Sequence, residues 1–203
     1  MRDWESTTYV STFKPVDDFG PLLRQEALRR GFGRAGKVVV LLDGAVGLGH
    51  MATLAFPNCV QIVDFYHAME HAGRVLAALL GKDHADYRPR LRRWAKQLLK
   101  DKVAALIAQT RRECTGRPHA PAVEEALHYF VTNVPRMQYG SFRQAGYFIG
   151  SGVVEAGCKT VIGSRLKQSG MFWTVRGANA IIALRCCLLN GDLEDYWAAR
   201  HIA

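Results

Sequence analysis

The sequence predicts an α/β fold with an all-helical insertion, and three observations indicate it. Residues 37–42 contain an unbroken apolar run, residues 59–63 are apolar except for Gln61, and each segment is followed by an aspartate, Asp43 or Asp64. Unbroken hydrophobicity over the length of a strand predicts burial on both faces, as in the centre of a parallel sheet. Residues 83–145 are then helical in pattern, basic and free of strand signals, before a glycine-rich loop and two further helical stretches.

The first elements are read from local composition. Residues 7–12, TTYVST, are rich in β-branched residues and predict a short strand. The apolar spacing of residues 19–30 predicts a helix. Asp17 or Asp18 is the predicted N-cap of this helix, and Gly31 its predicted stop.

Helices are predicted after each apolar run and again near the end of the chain. The first two cover residues 48–55 and 65–80, and the last two cover 153–166 and 175–189. The predicted domain organisation is therefore a first part of the core in residues 1–82, a basic helical insertion in 83–145 and a C-terminal part of the core in 146–203.

Bulk composition is typical of a globular protein, with 49% hydrophobic and 22% charged residues. The five cysteines form no C-x-x-C pair, so the sequence predicts neither a disulfide framework nor a cysteine zinc site. The first residues lack the pattern of a signal peptide, and no apolar run reaches the length of a membrane span. We expect a soluble, intracellular protein, with a reducing cytosol as its compartment.

Positive charge is concentrated in one part of the chain. Residues 84–117 hold ten lysines and arginines against three acids, which leaves +2 of the net charge of +9 for the rest. A basic block of this density predicts a polyanionic partner, with Arg92, Arg93 and Lys96 as candidate contacts. The alternative is a solvated helix face without a partner.

Three acids are candidates for a catalytic site. Asp43 and Asp64 follow the two apolar runs, and the carboxyl ends of strands line the ligand crevice of an open α/β sheet. Glu155 begins a helix behind the Gly150-Ser151-Gly152 turn. Converging carboxylates suit two Mg²⁺ or Mn²⁺ ions, which promote phosphoryl transfer. Taken singly, Asp43 is also typical of a turn, and Glu155 of a helix N-terminus.

The order of these motifs resembles a known family. The segments are VVVLLDGAVGLGHMATLAFPNCVQIVDFYHAMEHAG and YFIGSGVVEAGCKTVIGSRLKQSGMFWTVRGANAIIALR. They contain D-G-A-x-G-L, an Asp-x-x-His pair and G-S-G-x-x-E-x-x-x-K. The chain resembles the catalytic domain of DDE-type bacterial transposases over essentially its whole length. It is most similar to the ISKra family of insertion sequences, whose layout is similar to that of Mutator-like transposases.

The resemblance implies an RNase H-like fold whose helical insertion precedes the last catalytic acid. It implies that Asp43 and Glu155 are catalytic metal ligands, and that Asp64 and His67 form a signature pair beside the active site. It further implies a two-ion Mg²⁺ or Mn²⁺ site, DNA transposon ends as substrate, and a homo-oligomer or a full-length transposase as partner. Basic residues near Glu155 are candidate phosphate contacts: Lys159, Arg165 and Lys167.

The chain departs from the family pattern at its start. A DDE site needs a first aspartate on a strand before the helix that precedes Asp43, and only TTYVST precedes that helix here. We therefore expect the first strands of the sheet to be missing and the two-ion site to be incomplete, so that the chain alone is inactive. Asp3 is the one residue that could substitute. The alternative function is a non-catalytic DNA-binding or regulatory remnant.

A further alternative comes from the string His67-Ala68-Met69-Glu70-His71, which has the H-x-x-E-H form of inverted zinc peptidases. Such a site needs a third protein ligand, for which Glu124 and Glu125 are candidates. A zinc peptidase site would not account for Asp43 at the end of a strand or for the basic block. We expect His67 to face the catalytic cleft and His71 to be a packing or surface residue of the helix.

Overall fold

A computed structural model describes residues 7–201, except for the side chains of Val153 and His201. The fold is mixed α/β but mostly helical, with 66% helix and two parallel strands in the part described. The chain divides into two compact units. One contains the described residues up to Ala35 and those from Gly152 onward, and the other is Gly36–Ser151. These borders differ from the predicted ones because helices of 83–145 pack against the strands and the helix that precede them.

The regular elements follow one another in this order: α1 Val16–Arg29, β1 Val39–Leu42, α2 Val46–Ala55, β2 Val60–Val63, α3 Phe65–Leu80, α4 Tyr87–Leu98, α5 Val103–Cys114, α6 Ala120–Asn133, α7 Tyr139–Gln144, α8 Gly152–Cys158, α9 Ser164–Leu166, α10 Val175–Asn190 and α11 Leu193–His201. Short 3₁₀ turns occupy Phe32–Arg34 and Val134–Arg136, and a π-helical turn, Lys159–Gly163, joins α8 to α9.

The Gly36–Ser151 unit contains the two predicted strands, which pair in parallel from Val39 with Val60 to Leu42 with Val63. The predicted burial of β1 on both faces is wrong at its start, where Val39 is 37% exposed. β2 is the only described strand that pairs with β1, so one edge of β1 has no neighbour in the sheet. Burial increases along both strands and is greatest at their carboxyl ends.

The core of this unit forms around α3. Its buried face, which includes Ala72 and Leu76, packs against α4 and α6. Trp94 of α4 and Phe130 of α6 meet edge to face with ring centroids 5.2 Å apart, an arrangement aromatic pairs prefer. The predicted helical character of residues 83–145 is confirmed, since α4, α5, α6 and α7 lie within this segment. The helical segment shares one hydrophobic core with β1, β2 and α3.

The predicted strand at residues 7–12 is wrong. The backbone N–H of Tyr9 donates to Oδ1 of Asn190 at 2.8 Å, and its carbonyl accepts from Nδ2 of the same side chain at 3.1 Å. Asn179 likewise accepts from the N–H of Phe13. The side-chain amides of two asparagines of α10 thus bond to backbone groups that a neighbouring strand would otherwise pair. The β-branched composition of residues 7–12 does not indicate these contacts.

Helix α1 begins earlier than predicted, and the predicted cap is wrong. Its N-cap is Pro15, while Asp17 and Asp18 lie in the first turn, where carboxylates interact favourably with the helix dipole. The predicted stop is confirmed, because Gly31 adopts a left-handed conformation directly after the helix.

The predicted helix over 153–166 is interrupted by the π-helical turn. Arg185 of α10 donates from Nε to the carbonyl of Val161 at 3.0 Å and from Nη2 to that of Thr160 at 2.6 Å. These bonds satisfy carbonyls in the widened turn, which explains why it is stable here. No helix in the described part of the chain is both long enough and apolar enough to cross a bilayer.

Candidate functional site

Asp43 and Asp64 lie at the same edge of the two-stranded sheet. Each directly follows the last residue of its strand, Leu42 or Val63, and these two residues are paired in register. The ladder continues one step further, because the N–H of Asp64 donates to the carbonyl of Leu42 at 2.8 Å. This is the carboxyl edge, where open α/β sheets bind their ligands.

The carboxylate of Asp43 is partly available for binding. Its Oδ1 accepts from the N–H of Ala45 at 2.8 Å, which closes a local turn of the kind that aspartate favours. Oδ2 accepts no hydrogen bond from the described residues. Asp43 is half-buried, so this oxygen is a free hard ligand at the sheet edge.

Asp64 uses both carboxylate oxygens to hold backbone. Oδ1 accepts from the N–H of His67 at 2.7 Å and so caps α3, while Oδ2 accepts from the N–H of Ser151. Beside it, the N–H of Phe65 donates to the carbonyl of Ile149 at 2.8 Å. Asp64 is only 4% exposed. The spacing of the Asp-x-x-His pair is therefore that of an N-cap and its third helical residue, and the carboxylate anchors the glycine-rich turn.

His67 and His71 have different surroundings. The His67 side chain is 40% exposed, with Nδ1 3.7 Å from Oε2 of Glu70. His71 stacks on Tyr129, with centroids 3.5 Å apart and planes 3° apart. Burial lowers the pKa of His71 to about 4, and the charges of Arg74 and His67 add to this shift. His71 is thus a packing residue, as expected.

The zinc peptidase alternative finds no support in this geometry. The ring of His71 is stacked flat on Tyr129, and the candidate third ligand Glu124 is paired with Arg111. Within residues 7–201, no group of three or more His, Cys, Asp or Glu side chains is arranged to hold a metal ion.

A cleft of about 540 Å³ opens beside the Asp43 turn, between the start of α2, α3 and α6. His71 lines it, whereas His67, which the sequence predicts to face a catalytic cleft, does not line this one. Its other polar side chains come from α3 and α6: Arg74, Glu125, His128, Tyr129, Thr132 and Asn133.

Three residues that the sequence did not suggest hold the Asp43 turn and α2 in place. The Tyr129 hydroxyl donates to the carbonyl of Asp43 at 2.7 Å, and Nδ2 of Asn133 donates to the carbonyl of Gly44 at 3.1 Å. The guanidinium of Arg136 lies against Gly49 of α2. Burial and the charge of Asp43 raise the pKa of Tyr129, so its hydroxyl stays a donor. No local pattern marks these residues, which are 86 to 89 positions from their partners.

Glu155 lies in the other compact unit, as an exposed acid in the first turn of α8. Lys159 lies in the π-helical turn, Arg165 in α9 and Lys167 just after it, and all three are exposed. Glu155 thus has the predicted place at the start of a helix. Asp3, the candidate substitute for the first aspartate, lies outside the described residues.

Part of the basic block forms one face of α4. Arg88, Arg92 and Lys96 are spaced four residues apart and exposed, while Trp94 and Leu98 are buried on the opposite face. Arg93 is exposed beside this row. Other cations of the block are paired within the protein: Arg90 with Glu113, and Arg111 with Glu124.

The donor chemistry of Asp43 and Glu155 fits Mg²⁺ or Mn²⁺, since both offer carboxylate oxygens that are exposed or half-buried. Asp64 is a poorer candidate ligand, because it is only 4% exposed and each of its oxygens already accepts a backbone N–H group. Comparison with protein-family models, with curated proteins and with solved structures found no match for this chain.

Proposed function

We propose that this chain carries catalytic residues of a DDE-type transposase, which cuts and joins DNA by metal-dependent phosphoryl transfer. The observation that carries the proposal is the position of Asp43. It follows a strand of a parallel pair at the carboxyl edge and keeps one carboxylate oxygen free of protein partners among the described residues. The motif order D-G-A-x-G-L, Asp-x-x-His, G-S-G-x-x-E supports the family assignment and an RNase H-like core.

Each acid has a separate role in this proposal. Asp43 and Glu155 hold the divalent cations, which when bound activate the attacking oxygen and stabilise the leaving oxygen. Asp64 is a positioning residue: it fixes the start of α3 and the turn before Glu155 through its two backbone hydrogen bonds. The exposed cations of α4 contact the phosphates of the DNA.

The test is a nicking assay on DNA that carries the ends of the encoding mobile element, with Mg²⁺ or Mn²⁺. The chain is assayed alone and after fusion to a segment that supplies the strand with the first aspartate. In whichever form cleaves, we expect Asp43→Asn and Glu155→Gln each to lose at least about 100-fold in rate, as for other groups that stabilise a transition state.

Asp64→Asn is the structural control. An asparagine has one acceptor oxygen for two N–H donors, so this variant should lose about 1–3 kcal/mol of unfolding free energy, measured by urea denaturation. Asp43→Asn keeps the acceptor for Ala45 and should unfold like the parent protein. Full activity in both Asp43→Asn and Glu155→Gln contradicts the proposal. DNA binding without cleavage in any form favours the regulatory remnant instead.

A further inference from the structure

An exposed aromatic segment precedes α10. Phe172 is 97% exposed, Met171 38% and Trp173 36%, in a loop between the end of α9 and the N-cap residue Thr174. We name residues 167–174 the aromatic loop. Single exposed apolar residues are ordinary, but three consecutive large ones indicate a surface that meets another molecule.

The aromatic loop is fixed at both ends. On one side, Nε2 of Gln168 donates to the carbonyl of Ser164 at 3.1 Å. On the other, the Thr174 hydroxyl accepts from the N–H of Gly177 at 3.1 Å and so caps α10. Trp173 lies over the same glycine, since a Cβ placed there would be 3.9 Å from its Cε3 atom. Phe172 thus projects from a loop whose neighbours are held in place.

The charge around the loop selects the kind of partner. Residues 156–191 contain five lysines and arginines and neither aspartate nor glutamate. Three of these cations flank the loop and are exposed: Arg165, Lys167 and Arg176. Apolar rings beside exposed cations match a ligand that has both flat apolar faces and negative charge. Nucleic acid with unpaired bases has both, because bases stack on aromatic side chains while phosphates pair with cations.

We propose that the aromatic loop binds unpaired bases at DNA ends, with Phe172 stacking on a base and the flanking cations contacting adjacent phosphates. This inference rests on the proposed function, because it names the form of DNA that the protein recognises. Trp173 supports the loop from the side of α10. A lipid surface is less well matched, since the apolar residues are three consecutive positions of a loop and form no amphipathic helix.

The experiment measures binding of the full chain to two DNA probes at low salt by fluorescence anisotropy. One probe is a blunt duplex, and the other is the same duplex with a five-nucleotide single-stranded overhang containing 2-aminopurine, whose fluorescence falls on stacking. We expect tighter binding and quenching with the overhang. Phe172→Ala should weaken overhang binding about tenfold, the size of one lost base stack, and abolish the quenching without changing the affinity for blunt duplex.

Two variants control the assay. Phe172→Trp should restore overhang binding and quenching, because it keeps a stacking ring. Phe148→Ala removes a phenylalanine that is 87% exposed in the other compact unit and should change neither probe. Circular dichroism of each variant checks that its helices remain folded.

Other results overturn the inference. These are an equal effect of Phe172→Ala on both probes, no effect on either, or no DNA binding by the parent protein. If Phe172→Ala keeps the overhang preference but loses binding to phosphatidylserine vesicles, the loop binds a membrane. If it keeps the overhang preference but changes oligomeric state, the loop binds a second copy of the chain. The nicking assay decides the proposed function separately: overhang preference without cleavage supports the loop inference and contradicts the transposase activity.

Discussion

The two aspartates at the edge of the sheet have different roles, and the hydrogen bonds of each carboxylate determine its role. Asp43 and Asp64 each follow a strand, yet Asp64 is buried with both oxygens bonded to backbone N–H groups. Asp43 uses one oxygen for its own turn. A carboxylate with both oxygens satisfied stabilises the fold, whereas one with a free oxygen can bind a cation. A similar contrast separates exposed His67 from stacked His71.

The stacked His71 predicts a dependence of stability on pH. Its pKa falls from 6.5 to about 4 on folding, so between these values the unfolded chain binds a proton that the folded chain does not. The contribution is complete above pH 6.5 and is lost as the pH falls towards 4. Urea denaturation should show a loss of about 1–2 kcal/mol from this residue between pH 7 and pH 5, allowing for partial exposure.

His71→Phe keeps a ring on Tyr129 and should remove this part of the pH dependence. The matched control is His50→Gln, which removes an exposed imidazole of α2 and should leave the loss unchanged. An identical pH dependence in His71→Phe and the parent protein would contradict the assignment.

At the scale of elements, the turn after β1 depends on helix α6. Gly44 has a φ of 89°, and a Cβ there would lie 2.7 Å from the Tyr129 hydroxyl oxygen and 2.9 Å from its ring. Tyr129 and Asn133 are one helical turn apart on α6, and both donate to carbonyls of this turn. The helix therefore sets the position of Asp43 through backbone contacts that only glycine permits.

Comparing alanine substitutions at Gly81 and Gly44, which have nearly equal φ, separates the cost of backbone strain from the cost of overlap with Tyr129. Gly81, after α3, has a φ of 87°, and nothing lies within 4 Å of a Cβ placed there. Gly81→Ala should cost about 1–3 kcal/mol of unfolding free energy from its positive φ alone, because residues with a side chain rarely adopt this backbone conformation. Gly44→Ala should cost about 2–4 kcal/mol, because overlap with Tyr129 adds to the same strain.

A double-mutant cycle tests this overlap. Gly44→Ala combined with Tyr129→Ala should be less destabilised than the sum of the two single variants, because the truncated side chain leaves room for the new methyl group. Urea denaturation of the four proteins gives the coupling. Strict additivity, or equal costs at Gly44 and Gly81, would show that Tyr129 does not confine the turn.

For the whole molecule, the location of the exposed positive charges says more about a DNA-binding surface than the net charge does. The chain carries +9, and residues 84–117 account for most of it. Pairing with acids neutralises Arg90 and Arg111, while Arg92, Arg93 and Lys96 are exposed on α4. A basic face of this kind lies opposite the buried Trp94 and Leu98, so the packing of α4 directs it towards solvent.

This face predicts a salt dependence of DNA binding. If Arg92, Arg93 and Lys96 each contact a phosphate, replacing all three with alanine should flatten the log–log slope of affinity against salt by up to about 2.7, at about 0.9 per phosphate. Sequence preference should not change. Arg111→Ala removes a cation already paired with Glu124 and should leave the slope almost unaltered. An unchanged slope in the triple variant would mean that the face is only solvated.

The sequence by itself determined the elements whose signal is local. It predicted β1, β2, α3 over residues 65–80, and the helical character of residues 83–145, because periodicity acts over a few positions. It also placed Asp43 and Asp64 after parallel strands. Only the tertiary structure decided that Asn190 takes the place of a strand beside Tyr9, that Asp64 caps α3 and the glycine-rich turn, and that Tyr129 fixes the turn of Asp43. These contacts join positions up to 181 residues apart, and their partners are set by packing of whole elements, which no local pattern records.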